Sequence, residues 1–592
     1  MFPNNVKRTN LGWVFDMKIS LKPKLSHHIK RFIYIDILGI IAGFIGGLGA
    51  IIFREFLKLN KWLFFSILLP LISFKVNGFI PSIIILPALG GLIVGPIIFK
   101  FAPETKGHGV PEVIEAIKLH HARIRKRVVF VKIFASSITI GSGGSAGREG
   151  PIAQIGASIG SLLSELLNIG ARERRLLVVS GLSAGIAGTF NAPLGGAIFG
   201  LEILLGGVTL TYAIPIILAS VIGAAVVSSV YGPYPAFYAP PTLTFTNPIE
   251  LFFYFLLGLI FGLLAVIWVK IFYLFEDFYD KLRVPNYLKL SIGGIITGTL
   301  GMFYIQYGIL GVGYEGINKI LLGEVSLTLL LILGTLKLFA TANTIGSGGS
   351  GGVFAPSLFI GAAYGGAIGL IFHSLFPGIV KHPFTYSLAG MAALFAAAAH
   401  APISMIVMIP EMSNDYSLLP PLMAACATSY IVSKIIMGDS NIYTLKLKRR
   451  GVKLFLAEDF SAFEILKVEE FMTKNVITVS PETNLSRVYE IIRETHHDCF
   501  PVVEHGKLIG RVSSDDVLAV PVHLLPKCTV KDVMRKNYST IFRDDPIIKA
   551  IEKIYYGGEG KLFVVERNNP QKIVGILTKT DIVKAYGYVS TI

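Results

Sequence analysis

Two glycine-rich loops carry the residue types and spacing with the clearest chemistry. Residues 141–151 read GSGGSAGREGP, and residues 346–356 read GSGGSGGVFAP. Glycine lets the backbone turn with positive φ and approach a ligand closely, and proline suits the first turn of a helix, where its missing N–H costs nothing. Each loop therefore predicts free backbone N–H groups at the positive end of a helix, which can bind an anion without a full positive charge. Close packing of glycine-rich helices is the alternative interpretation, and two matching loops favour the anion site.

Glu149 lies inside the first loop, between Arg148 and Gly150. A carboxylate in an apolar, membrane-like setting is costly and marks a functional position. When ionised it would compete with a bound anion, and when protonated it would leave the site, so we expect Glu149 to act as a gate. A salt bridge to Arg148 is the alternative, but adjacent residues of a helix seldom face each other.

The elements that must position these loops are repeated along the chain. Residues 141–160 and 346–365 are identical at 11 of 20 positions, at an offset of 205. The pairing extends to flanking residues, namely Lys132 with Lys337, Gly107 with Gly311, Gly109 with Gly313, Ala192 with Ala401, Pro193 with Pro402 and Glu202 with Glu411. We expect two half-repeats, over about 33–231 and 249–437. Such repeats are often inverted, and they bind substrate at their interface on the N-termini of broken helices.

The composition places these repeats in a membrane. The chain has 592 residues, of which 53% are hydrophobic and only 16% charged, and its mean hydropathy is +0.64. Soluble domains carry roughly 25% charged residues. Apolar stretches follow one another from about residue 33 to 437, and some reach the roughly 20 residues that cross a bilayer core. We therefore predict a mainly α, multi-pass protein of the cell membrane, with the lipid bilayer as its surroundings.

The charge distribution separates this region from the C-terminal part. Residues 451–592 contain 19 basic and 19 acidic side chains, so the whole net charge of +16 belongs to residues 1–450. Basic clusters beside apolar spans indicate the cytoplasmic side, which predicts cytoplasmic termini and a cytoplasmic segment over 1–32. The excess charge lies in the apolar part, which argues against a nucleic-acid partner. The three cysteines have no metal-site or disulfide spacing.

Four segments in this order resemble the CLC chloride channel and transporter family: GHGVPE (107–112), GREGP (147–151), GGVFAP (351–356) and the tyrosine of NIYTLKLKRR (441–450). The resemblance covers about residues 30–450 and implies a homodimer with one chloride pathway per subunit, built from two inverted halves. It implies gating by Glu149 and a hydroxyl donated to the anion by Tyr443. The implied anion-binding residues are His108, Gly147, Arg148, Glu149, Val353, Phe354 and Tyr443. The implied selectivity loops comprise Gly107, Gly109, Pro111, Gly150, Pro151, Gly352 and Pro356.

Two positions depart from the family pattern. His108 stands where the chloride-selective pattern has serine, so an imidazole replaces a hydroxyl donor and could add pH sensitivity. Ile203, beside Glu202, stands where exchangers usually carry a second glutamate that relays protons. This favours a passive, gated chloride channel. A proton-coupled chloride antiporter is the alternative, because a water wire can carry protons without that side chain.

The soluble tail contains its own repeat. Residues 468–522 and 526–587, after a linker over 451–467, resemble a pair of α/β CBS domains, which would regulate the channel from the cytoplasm. Each ends in Gly-x-x-Ser/Thr-x-x-Asp, giving Ser513 with Asp516 and Thr578 with Asp581. In that family the hydroxyl and helix start can meet phosphate and the aspartate ribose, so ATP or AMP is a possible ligand, although no cofactor is required. The alternative is that both hydroxyls only cap helices.

Two other function classes fit poorly. A membrane metalloprotease would need an H-E-x-x-H helix, which the sequence lacks, so we do not expect an enzyme. A cation carrier would need several intramembrane acids facing a cavity, whereas the paired glycine loops favour anions.

Overall fold

The computed structural model describes residues 27–74, 80–207, 210–240, 243, 245, 247–451, 466–557 and 560–589. The chain divides into two compact units, Met1–Leu454 and Phe455–Ile592. Most of the expected N-terminal segment 1–32 and most of the expected linker 451–467 lie outside the described residues. The first unit is helical throughout its described part, and strands occur only in the described part of the second unit.

The first half of the helical unit contains nine α-helices in its described residues. They are α1 His27–Lys61, α2 Leu69–Ile72, α3 Ile85–Phe101, α4 Val110–Leu119, α5 Arg127–Gly141, α6 Glu149–Leu166, α7 Ala171–Phe190, α8 Pro193–Gly200 and α9 Leu210–Tyr231. A π-helical segment, Leu201–Leu205, continues α8. Such segments are rare and occur often at functional sites.

Where the structure describes it, the second half contains nine more α-helices. They are α10 Leu251–Lys281, α11 Asn286–Met302, α12 Tyr314–Leu321, α13 Leu327–Gly346, α14 Phe354–Leu375, α15 Thr385–Ala399, α16 Pro402–Ser413, α17 Leu419–Met437 and α18 Thr444–Arg449. Packing partners repeat between the halves: α6 packs on α7 as α14 packs on α15, and α1 packs on α9 as α10 packs on α17. The internal sequence repeat is therefore also a repeat of tertiary structure.

Glycine makes the tightest of these helix pairs possible. A Cβ atom on Gly156 of α6 would collide with the carbonyl oxygen of Gly181 in α7, and one on Gly181 would collide with that of Gly156. The second half repeats the arrangement with Gly361 of α14 and Gly390 of α15. Small residues of this kind let membrane helices approach at backbone distance.

Seven helical stretches in the described part of the chain are long and apolar enough to cross a membrane. They are Ile33–Ile72, Pro81–Phe101, Tyr212–Tyr231, Pro248–Lys281, Leu327–Gly346, Phe354–Leu375 and Leu419–Met437. Shorter apolar helices, among them Thr385–Ala399, lie between them. All 15 residues of that helix are buried, as expected of a short helix held inside protein rather than against lipid.

The described part of the second unit has six α-helices and five strands. They are α19 Val468–Phe471, α20 Leu485–Thr495, β1 Cys499–Glu504, β2 Lys507–Ser513, α21 Ser514–Leu518, α22 Val530–Val533, β3 Thr540–Phe542, α23 Ile547–Gly557, β4 Lys561–Glu566, β5 Asn569–Thr578 and α24 Lys579–Val589. β1 pairs antiparallel with β2, β3 pairs parallel with β4, and β4 pairs antiparallel with β5.

The two α/β motifs of this unit exchange their leading segments. Val468 is buried in the core formed by β3, β4 and α23 of the second motif. Val530, at the start of the second motif, is buried in the core of the first, around Phe500 and Val512. Each motif therefore depends on the other to complete its hydrophobic core.

Candidate anion site between the two halves

The two predicted loops meet each other. The N–H of Gly147 donates to the carbonyl of Gly352 at 2.7 Å, and the N–H of Gly352 donates to the carbonyl of Gly147 at 2.6 Å. The loop before α4 joins them, because the Gly107 N–H donates to Gly349 at 3.0 Å. Loops 205 residues apart in sequence thus form one structure, in which α6 and α14 both begin.

The Glu149 carboxylate lies between these helix starts. Its Oε2 accepts from the backbone N–H of Ala355 at 3.4 Å, and its Oε1 accepts from the Tyr314 hydroxyl at 3.0 Å. The residue is 1% exposed. A Cβ atom on Gly147 would collide with Oε2, so the side chain folds back over its own loop. A carboxylate group therefore occupies the position where the sequence predicts an anion.

The glycines and prolines of the loops permit this close assembly. Gly107 and Gly109 have φ values of +80° and +85°, a region that other residues rarely adopt. A Cβ on Gly150 would collide with the His108 carbonyl oxygen. Pro111, Pro151 and Pro356 lie in the first turns of α4, α6 and α14, where a proline costs no hydrogen bond.

His108 and Tyr443 lie side by side. Their ring centroids are 5.5 Å apart, and both residues are buried. Neither ring nitrogen of His108 has a hydrogen-bond partner among the described residues. Because buried polar groups normally find a partner, the imidazole is available to an ion entering this region.

An ion pair connects the elements that carry these two rings. Lys446 of α18 donates to Glu112 of α4 at 2.7 Å, and their side chains are 6% and 7% exposed. The Tyr273 hydroxyl also donates to the carbonyl of Ile442 at 2.7 Å, directly before Tyr443. The position of Tyr443 is therefore fixed from both sides by buried polar contacts.

Arg148, Val353 and Phe354 occupy different surroundings. The Arg148 guanidinium lies over the Tyr314 ring, 5.2 Å from its centroid, and donates to the Thr189 carbonyl at 3.3 Å. Val353 and Phe354 are buried at the start of α14, and Phe354 joins an aromatic cluster comprising Phe190, Phe199 and Phe395. Val353 and Phe354 contribute their backbone to the loops, whereas the guanidinium of Arg148 contacts the Tyr314 ring.

Two buried lysines that the sequence pairing singled out support the loops. Lys132 donates to the carbonyls of Thr105 and Gly107 at 3.0 and 2.9 Å. Lys337 donates to the carbonyls of Gly308, Ile309 and Gly311 at 2.9, 3.2 and 2.9 Å. Both lysines are fully buried. Each anchors the loop before a short helix of its own half, a role that the repeat could have indicated.

Glu202 and Glu411 each cap a helix of the opposite half. Glu202 accepts from the backbone N–H groups of Ile403 and Ser404 at 3.1 and 2.7 Å, and from the Ser404 hydroxyl. Glu411 accepts from the N–H groups of Leu194 and Gly195 at 3.0 and 2.6 Å. Ile203 is half-buried against the core.

The residues predicted to bind nucleotide form helix caps. Ser513 accepts from the Asp516 N–H at 3.2 Å and donates to Asp516 Oδ2, and Thr578 and Asp581 repeat the arrangement. Arg535 pairs with Asp516. Burial raises the pKa of Asp516, but its hydrogen bonds with Ser513 and Arg535 outweigh this effect and hold the pKa below its usual range. In the structure both hydroxyls therefore cap helices, as the alternative interpretation of the sequence predicts.

Within the described ranges, no cluster of three or more His, Cys, Asp or Glu side chains could hold a metal ion.

Comparison with known proteins agrees with this geometry. The family described as voltage gated chloride channel matches residues 90–434, and the CBS domain family matches residues 468–523 and 530–588. A ClcB-like chloride channel protein of Ralstonia nicotianae is 34% identical over 421 residues, 69% of this chain and 96% of the relative. The H(+)/Cl(-) exchange transporter ClcA of Yersinia pestis is 31% identical over 63% of this chain and 79% of its own length. The chloride channel protein CLC-f of Arabidopsis thaliana is 29% identical over 81% and 66%, respectively.

Solved structures give the same result. A slow cyanobacterial Cl-/H+ antiporter aligns with a TM-score of 0.63 and 25% identity, over 72% of this chain and 99% of that chain. A eukaryotic CLC transporter aligns with a TM-score of 0.62 and 20% identity, over 93% and 98%. The polytopic α fold and the tail with two α/β motifs, both expected from the sequence, are confirmed. The chain therefore belongs to the voltage-gated chloride channel family and carries two CBS domains after its membrane helices.

Proposed function

We propose that the protein carries chloride across the cell membrane through a pathway gated by Glu149. The observation that carries the proposal is the Glu149 carboxylate on the Ala355 N–H, at the start of the helix contributed by the other half. A group of the same charge as the substrate thus accepts hydrogen bonds from a backbone N–H and from the Tyr314 hydroxyl. Chloride and the carboxylate then compete, and protonation of Glu149 removes its charge and releases the site.

The other predicted residues suit a path on the far side of this gate. Tyr443 offers a hydroxyl, and His108 offers an N–H from a ring with no other partner among the described residues. Weak donors of this kind bind an anion loosely enough for it to leave again. We assign to His108 a share in anion selectivity, since a neutral imidazole donates through one nitrogen only.

Passive conduction is the mode that we favour. Ile203 provides no proton-relay side chain, and the adjacent Glu202 has both carboxylate oxygens engaged at the start of α16. Proton-coupled exchange is the second candidate, supported by the similarity to proteins named as Cl-/H+ antiporters.

Reconstitution in liposomes distinguishes the two modes. Under a chloride gradient and an opposing proton gradient, a passive channel gives a reversal potential that follows chloride alone. A reversal potential that shifts with the proton gradient would establish exchange instead. Glu149→Gln is expected to raise chloride flux and abolish its pH dependence, and unchanged flux and pH dependence would refute the gate.

The remaining parts of the proposal concern assembly and regulation. We propose a homodimer with cytoplasmic termini, since family resemblance and the basic clusters support these features. We also propose that the CBS unit binds an adenine nucleotide at Ser513, Asp516, Thr578 and Asp581. Titration of the full-length protein with ATP or AMP, comparing Asp516→Asn and Asp581→Asn with the wild type, tests this assignment, and binding unaffected by both substitutions would contradict it.

A further inference from the structure

Tyr314 makes a side-chain contact that its repeat equivalent in the first half does not make. It is the first residue of α12, after Gly313 with φ of +103°, and its hydroxyl donates to Glu149 Oε1 at 3.0 Å. Gly311 and Gly313 correspond to Gly107 and Gly109 in the repeat, so the position equivalent to Tyr314 in the first half is Val110. Among the described residues, the hydroxyl that donates to Glu149 therefore comes from the second half and has no hydroxyl at its repeat equivalent.

The surrounding contacts hold this hydroxyl in place. Lys337 anchors the carbonyls of Gly308, Ile309 and Gly311, directly before α12. Glu315, next in sequence, pairs with Lys61 of α1 at 2.9 Å. The Arg148 guanidinium lies over the Tyr314 ring, and a cation over an aromatic face is attractive. The ring thus has neighbours on several sides, and its hydroxyl points at the carboxylate.

We propose that Tyr314 is a latch for the gate: its hydroxyl stabilises ionised Glu149 in the anion site and so sets the proton concentration at which the site opens. This inference rests on the proposed gating by Glu149 and adds a second residue to it. A hydrogen bond to a charged acceptor is stronger than one to a neutral acceptor. The hydroxyl therefore stabilises the ionised, blocking form more than the protonated form, and its loss favours protonation and opening.

Other groups also act on Glu149 electrostatically. Arg148 on its own element, Lys337 on α13 and Tyr443 before α18 each interact with its charge. The first turn of α14, which supplies the Ala355 N–H, contains no acidic residue. Because the two cations and Tyr443 remain in a Tyr314→Phe variant, that substitution removes one donor and leaves the charges unchanged.

The experiment measures chloride flux from liposomes containing the full-length protein between pH 4.5 and pH 8, with Tyr314→Phe as the variant. We expect the pH of half-maximal flux to rise by about one unit, equivalent to about a tenfold higher ratio of open to closed protein at a fixed pH. Tyr364→Phe is the matched control, because it removes a hydroxyl that is hydrogen-bonded to Thr335 at 2.7 Å, elsewhere in the same half. Its profile should follow the wild type.

A second background separates a latch from a structural effect. In Glu149→Ala, the carboxylate is absent, so adding Tyr314→Phe should change neither the flux nor its pH dependence. An unshifted profile for Tyr314→Phe, or an equal effect of the substitution in the Glu149→Ala background, would overturn the latch while leaving the gate intact. If Glu149→Gln itself leaves flux and pH dependence unchanged, the gate and the latch both fall.

Discussion

The two halves of the membrane unit share a scaffold but not a chemistry. Arg148 and Glu149 at the start of α6 correspond to Val353 and Phe354 at the start of α14, at the offset of 205. Loop hydrogen bonds, anchoring lysines and helix caps are present in both halves, whereas the carboxylate belongs to the first half and its backbone donor to the second. In the proposed mechanism the duplicated parts build the site, and the unduplicated Glu149 and Tyr314 control it.

The largest contrast is expected between Glu149→Ala and Phe354→Ala. Removing Glu149 should abolish the pH dependence of chloride flux and cost little stability, because it vacates a site that an anion can fill. Removing Phe354 from its aromatic cluster should lower the free energy of unfolding by about 3–5 kcal/mol and leave the pH dependence intact. Flux assays and thermal unfolding of both purified variants check this.

Leu358→Ala, at a fully buried position in the same helix, serves as a control for stability loss without a role at the loop. Should Phe354→Ala remove the pH dependence while Leu358→Ala does not, the chemistry would extend to the second half, and the proposed asymmetry would be wrong.

A smaller contrast is expected between the two buried lysines, Lys132 and Lys337, in the stability lost when each is replaced. Both carbonyls that Lys132 holds also accept a second hydrogen bond, from Ser350 and Gly351. Of the three held by Lys337, one accepts a second hydrogen bond from a described residue, Ala146. We therefore expect Lys337→Met to destabilise the protein more than Lys132→Met, by about 1–3 kcal/mol, the cost of an unsatisfied buried group. Thermal unfolding in detergent measures the difference. Equal losses would mean that the carbonyls left without a second hydrogen bond do not determine the loss of stability.

The cross-half caps should be nearly equivalent. Glu202→Gln and Glu411→Gln each weaken two charge-assisted bonds at a helix start, for which we expect a loss of about 1–2 kcal/mol in unfolding free energy. Glu202 also accepts from the Ser404 hydroxyl, so Ser404→Ala should account for any excess at Glu202. A large loss of flux in Glu202→Gln without loss of stability would instead indicate a proton-relay role.

The smallest effect concerns the two repeats of the tail. The pKa of Asp516 lies below its usual range because of its hydrogen bonds with Ser513 and Arg535, despite burial. A carboxyl whose pKa is lower in the folded state stabilises the fold at pH values above its unfolded-state pKa of about 3.9. This stabilisation is lost as the pH falls through the folded-state pKa. Asp516→Asn should therefore lower the free energy of unfolding by about 1 kcal/mol or less at pH 7. It should have no such effect at a pH where Asp516 is protonated in both the folded and the unfolded state. Hydrogen exchange of peptides from β1 and β2 at pH 7 and at pH 2 reports this loss, with Asp581→Asn as the parallel variant; equal costs at both pH values would contradict the linkage.

The sequence predicts the features that repeat or follow a local motif. The loops and the paired lysines and glutamates can be identified because the same segments occur twice, and Glu149 because a carboxylate lies inside the first loop. Tyr314 was missed because its repeat equivalent is Val110 and no motif surrounds it. The partners of Glu202 and Glu411 could not be read either, since hydrogen bonds across about two hundred residues depend on how the halves pack. The exchange of Val468 and Val530 between the tail motifs could not be predicted for the same reason, because it depends on how the two motifs pack.

The crossed caps also bear on how the protein is made. Gly195 and its acceptor Glu411 are 216 residues apart, and a ribosome adds about 5–20 residues per second. The amide groups at the start of α8 therefore emerge roughly 10–45 s before their partner is synthesised. During that interval the start of α8 lacks the Glu411 carboxylate that caps it. Chaperones or the insertion machinery would have to shelter that end, and a chain that stops before residue 411 would be recognisable as incomplete.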